Sequence, residues 1–162
     1  MRIPIALALG LVVAGPATAE TAGVSEAQRG VLDCIEAMGQ TTVWDQCASL
    51  MFGPCAAEQV GSDGHVACLS VQHEGWQSAL AGERTALIAR LTSAGSSELT
   101  QLMGQWFGYV AQKCAAVAAS KPAEHAEAAQ LGCEISEIAG VTTEFVACRE
   151  GRSTAPYCVL QE

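Results

Sequence analysis

Apolar residues recur at steps of three, four and seven along most of this chain, and strict alternation is scarce. That period marks amphipathic helices rather than strands. Ser25-Glu26-Ala27-Gln28 has the form of a capping box and predicts a helix running to Met38. Gly39 to Thr42 breaks the pattern, and a short helix from Val43 to Met51 follows, stopped by Gly53-Pro54. Ala56 to Gly64 is rich in turn residues. Leu69, His73, Trp76, Leu80, Leu87 and Leu91 then mark one stripe of a long helix over His65–Leu91, with a bend expected where Gly75 and Gly82 weaken it. Ser93 to Ser97 reads as a loop. Leu99, Met103, Trp106, Val110, Cys114 and Val117 form the next stripe. Ser120-Lys121-Pro122 restarts the chain, with Pro122 suited to a first helical position. Leu131, Ile135, Ile138, Thr142 and Phe145 carry the last helix to about Arg149. The expected fold is all-α: a small antiparallel helical bundle with short connections.

The amino terminus changes the setting. Arg2, an apolar run from Ile3 to Ala14 and Ala17-Thr18-Ala19 have the order of a secretory signal with its cleavage site. The run is too short to span a bilayer comfortably. Residues 1–19 are therefore expected to be a signal peptide, and residues 20–162 one domain destined for the periplasm or secretion. All eight cysteines follow the cut, which in an oxidising compartment implies four disulfides. Three Phe, three Trp and two Tyr cannot build a large aromatic core, so cross-links of about 2–4 kcal/mol each make up part of the deficit.

Cysteine spacing narrows the pairings. Cys114 and Cys133 lie almost equally far from the turn near Ala123, so antiparallel helices would set them opposite each other. Cys34, Cys47, Cys55 and Cys68 allow two schemes. One joins Cys34 to Cys47 and Cys55 to Cys68. The other joins Cys34 to Cys55 and Cys47 to Cys68, each with a separation of 21. Cys148 and Cys158 remain and would tie the tail to the last helix. No Cys-x2-Cys or other metal-ligand spacing involves His65, His73 or His125, and no Cys-x-x-Cys redox motif is present. No metal and no cofactor are expected.

Charge and side-chain chemistry point to binding. The full chain carries −9, and removal of residues 1–19, whose only charge is Arg2, takes it to −10. Such a surface repels nucleic acid. It suits solubility alone, or attraction to a basic protein. His73-Glu74 can be read as a general base, as a polar plug for another protein's cleft, or as a partly buried histidine satisfied locally. Glu134 and Glu137, three residues apart, read as a solvated face. No Gly-x-Ser-x-Gly elbow and no phosphate-binding loop occur, since Gly61-Ser62-Asp63-Gly64 lacks the following Lys. Trp76 and Trp106 fall on apolar stripes and are assigned to the core. Gln105 is expected to hydrogen-bond within the bundle, or to share a surface with Tyr109. Nothing in the sequence supports catalysis.

Three stretches resemble the lysozyme-inhibitor LprI-type family of exported bacterial proteins. Cys68-Leu-Ser-Val-Gln-His-Glu74-Gly-Trp76 with Leu80, Leu87 and Leu91 is similar to one of its helices. Leu102-Met-Gly-Gln105-Trp106-Phe-Gly-Tyr109, ending at Cys114, resembles its Gln-x-x-Trp helix in order, although Met103 stands where the family has Gln. Cys133 opens the third stretch, which runs through Glu144. The extra cysteines near both ends mark a divergent branch. The resemblance implies a periplasmic protein that occludes the cleft of a basic muramidase such as a lysozyme. The turn-rich segment with Glu58 and Asp63 is the expected plug. A non-catalytic structural or interaction protein of the cell envelope, with another partner, is the alternative.

Overall fold

A computed structural model describes residues 24–38 and 45–160. The signal segment, the break at Gly39–Thr42 and the start of the second helix lie outside the described residues. Among the described residues five helices follow one another: α1 (Glu26–Met38), α2 (Asp45–Phe52), α3 (Asp63–Ile88), α4 (Ser93–Ala119) and α5 (Ala123–Arg149), with a 3-10 turn at Gly53–Cys55. The protein is an all-α bundle cross-linked by disulfides.

Local chemistry sets the helix starts. Ser25 Oγ accepts from the Gln28 N–H at 3.2 Å, and Gln28 Oε1 accepts from the Ser25 N–H at 2.9 Å, closing the capping box on α1. Ser62 caps α3 by accepting from the His65 N–H at 3.2 Å. Thr92 caps α4 through the Gly95 N–H, also at 3.2 Å. The loop expected over Ser93–Ser97 is therefore already helix. Its small polar residues form a capped first turn, and Gly95 is required there because a β-carbon would meet the Tyr157 carbonyl at 2.7 Å. α3 is one unbroken helix through Gly75 and Gly82. At Gly75 the Gln28 amide lies 3.7 Å from where a β-carbon would stand, an ordinary contact distance.

The long helices make one assembly with α5 in the middle. α3 and α4 both pack mainly on α5 and touch each other little, while α1 crosses α5 and pairs with α2. A middle helix must be apolar on more than one side. α5 buries Ala128, Ile135, Ile138, Ala139, Thr142, Phe145 and Val146, which point in several directions around its axis. The Thr142 hydroxyl, fully buried, donates to the Ile138 carbonyl at 2.7 Å and so needs no other partner. Trp76, 1% exposed, joins the same core with Val31, Met51, Leu80 and Leu99.

All four disulfides join neighbours in the chain: Cys34–Cys47, Cys55–Cys68, Cys114–Cys133 and Cys148–Cys158, with Cα–Cα distances of 5.8, 5.7, 5.5 and 5.6 Å. Geometry thus selects the local scheme for the first four cysteines. Cys148–Cys158 folds the tail back over the α3–α4 turn, where the Thr92 N–H donates to the Val159 carbonyl at 2.9 Å.

Candidate functional site

Residues 56–62 form a tight loop between the two halves of one disulfide. The Glu58 N–H donates to the Cys55 carbonyl at 3.1 Å and the Ser62 N–H to the Gln59 carbonyl at 2.9 Å, two successive turns. Gly61 adopts φ +82°, which favours glycine, and a β-carbon there would lie 2.8 Å from the Glu124 carbonyl. The Gly61 N–H donates to His65 Nδ1 at 3.3 Å, so that nitrogen is the acceptor of its ring. The His125 ring packs against Gly61, and its Nδ1 is buried without a protein partner. The loop is therefore seated on the start of α5 and tied to α3.

This seating gathers acids at one end of the bundle. Glu58 is exposed, and its carboxylate lies beside Gly64 in the first turn of α3, 2.5 Å from the position of a β-carbon there. Asp63 is the first residue of α3 and is exposed. Both carboxylates thus stand at the positive end of a helix, an arrangement that stabilises the helix start whatever else they do. Glu124, an exposed acid in the first turn of α5, adjoins the loop through its backbone carbonyl, which lies against Gly61. Val60, 65% exposed, forms the apolar tip. Glu124 was not legible in the sequence, because only the close approach at Gly61 brings it to the loop.

A second polar cluster crosses the three long helices. His73 Nε2 on α3 donates to Glu134 Oε2 on α5 at 3.1 Å, and the Gln130 amide donates to the other carboxylate oxygen at 2.9 Å. The Gln77 amide lies 3.4 Å from His73 Nε2. Lys113 Nζ on α4 donates to Glu137 Oε1 at 2.6 Å and stands 5.8 Å from the Tyr109 ring centre. The bond to Glu137 raises the Lys113 pKa above its ordinary value, against a smaller opposing effect of burial. Glu134 and Glu137 are not the solvated face expected of them. Their side chains are 20% and 21% exposed, and each ties α5 to a different neighbour. α5 is the middle helix and has no free face at this level. His73, half-buried, is accounted for by its bond to Glu134.

A third pair escaped the sequence reading. Glu83, 7% exposed, accepts from Arg149 Nε at 2.9 Å. Arg90 Nη1 in turn donates to the Arg149 carbonyl at the end of α5. The signal was present: Trp76, Leu80, Glu83 and Leu87 follow steps of four, three and four, placing a carboxylate on the apolar stripe.

Trp76 is in the core, and Trp106 packs partly buried against it. Gln105 is exposed rather than held inside the bundle, and Tyr109 is 56% exposed one turn further along. Both lie well round α4 from Met103 and Val110, which face the core. A shallow groove of about 350 Å³ runs between α1, α2 and α3, floored by Trp76 and rimmed by Leu50, Val71, Gln28 and Gln72. Among the described residues no three His, Cys, Asp or Glu side chains converge as metal ligands, and no helix is long and apolar enough to cross a membrane.

No family model, curated protein or solved structure matches the chain.

Proposed function

We propose that this chain is a non-catalytic exported protein that docks its acidic loop end on a basic protein of the muramidase type and blocks that partner's cleft. The observation that carries the reading is the loop at 56–62. It is exposed, it carries or adjoins Glu58, Asp63 and Glu124, and it is clamped by Cys55–Cys68. A loop held in one conformation loses little entropy on binding, so more of its contact energy appears as affinity. The chain's net charge of −9 speeds encounter with a basic partner. Four disulfides, with no membrane-crossing helix among the described residues, are compatible with a periplasmic or extracellular location.

The test is lysis of a cell-wall suspension by a panel of lysozymes, with and without the purified oxidised protein. Dose-dependent inhibition that disappears on reduction is the expected result. Folded protein without effect across the panel would overturn the muramidase reading and leave an envelope interaction with another partner.

A further inference from the structure

α4 meets α5 through Leu99, Met103, Val110 and Cys114, and no described element covers its other side. Leu102 is 39% exposed and Tyr109 56% on that side. From Gln101 to Gln112 no exposed residue carries a charge, in a chain whose total is −9. Soluble surfaces are normally laced with charges, whereas the centres of protein interfaces lose them and gain tyrosine. Glu98, Leu102, Gln105, Tyr109, Gln112 and Ala116 follow steps of four and three, the spacing of one continuous helix–helix seam.

We propose that this seam binds a second copy of the chain, α4 against α4, antiparallel about a twofold axis between Gln105 and Trp106. In that register Leu102 faces the second copy's Tyr109, and Glu98 faces the second copy's Lys113. Each contact occurs twice, as a twofold interface requires. Lys113 is bonded to Glu137 in its own chain, yet its side chain is 41% exposed and has room for a second carboxylate. A basic protein is the poorer occupant, because Glu98 is the only acid on the seam. A strongly acidic chain, in contrast, approaches its own copy with least repulsion through a surface poor in acids. This pairing does not depend on the loop reading, which concerns the opposite chemistry.

The experiment is sedimentation velocity of the oxidised mature protein over a range of concentrations at physiological salt. Wild-type protein is expected to reach twice the monomer mass. Tyr109→Glu and Leu102→Glu, each of which sets an unpaired carboxylate against an uncharged residue of the second copy on either side of the axis, should weaken self-association by about tenfold or more. Phe107→Glu is the control: Phe107 is 51% exposed but lies on the other flank of α4, so the dimer should persist. Helical circular dichroism shows that each variant is folded. A wild-type monomer at every concentration, or an undiminished dimer in Tyr109→Glu, would overturn the proposal. So would a monomer that gains mass through this face only when a basic protein is added.

Discussion

Opening the Cys55–Cys68 cross-link tests how the loop is held. The pair closes a sequence separation of 13. In the chain-entropy treatment a ring of that size removes about 3 kcal/mol of denatured-state freedom at room temperature. Cys55 is 1% exposed, so serine would add the cost of a buried hydroxyl, and alanine is the cleaner replacement. Cys55→Ala with Cys68→Ala should therefore lose about 3 kcal/mol while the other three disulfides stay closed. Equilibrium urea unfolding at neutral pH measures the loss, with the slope rising slightly because the denatured chain is less compact. Amide exchange supplies a local readout. The Gly61 and Ser62 amides, bonded to His65 Nδ1 and the Gln59 carbonyl, should lose protection. A loss below about 1 kcal/mol with both amides still protected would refute the argument, showing that the seat on Glu124 and His125 holds the loop alone.

Three further outcomes are expected. Arg149→Met leaves the Glu83 carboxylate buried and unpaired and should cost about 3 kcal/mol, the low end for a broken buried pair because Arg149 is a quarter exposed. Adding Glu83→Met should recover most of that loss, and a double mutant as unstable as the single would show that packing, not charge, was lost. Burial, and then the Glu144 carboxylate, push the Tyr157 phenol above its ordinary pKa of 10.0. The folded state thus holds this proton more tightly, so stability present below pH 10 declines as pH rises further; Lys113, also raised, adds to the decline. Tyr157→Phe should flatten that alkaline limb in melting curves, and an unchanged limb would assign it elsewhere. Because every cysteine pairs with its next neighbour, reduced protein should regain native disulfides in a simple oxidising thiol buffer without an isomerase, as mapped by non-reducing peptide digestion. Abundant crossed pairs would contradict this.

The helical period is legible because α3 and α4 each bury one stripe against α5. Cys114–Cys133 was legible for the same reason: two antiparallel helices leave little freedom in register. Glu83 is hard to see in the sequence because stripes are defined by apolar residues, and its partner Arg149 lies 66 residues away. Ser93–Ser97 reads as loop in the sequence because capping residues and turn residues are the same types. The pairing of the first four cysteines needed coordinates, since both schemes satisfy the spacing. The acids Glu58 and Asp63 were identifiable as an exposed turn, but Glu124 was not. Likewise no periodicity reveals that Gln105 and Tyr109 are exposed on α4, because that depends on which helix lies in the middle.

The central claim is that the braced acidic loop is what grips a basic partner. Calorimetric titration of a basic lysozyme with wild-type protein and with the Glu58→Gln, Asp63→Asn, Glu124→Gln variant tests it most directly. Saturable binding by wild type that weakens with added salt, and is about tenfold or more weaker in the equally folded variant, is the predicted result. Equal binding by the variant, or none by the wild-type protein, would contradict the account.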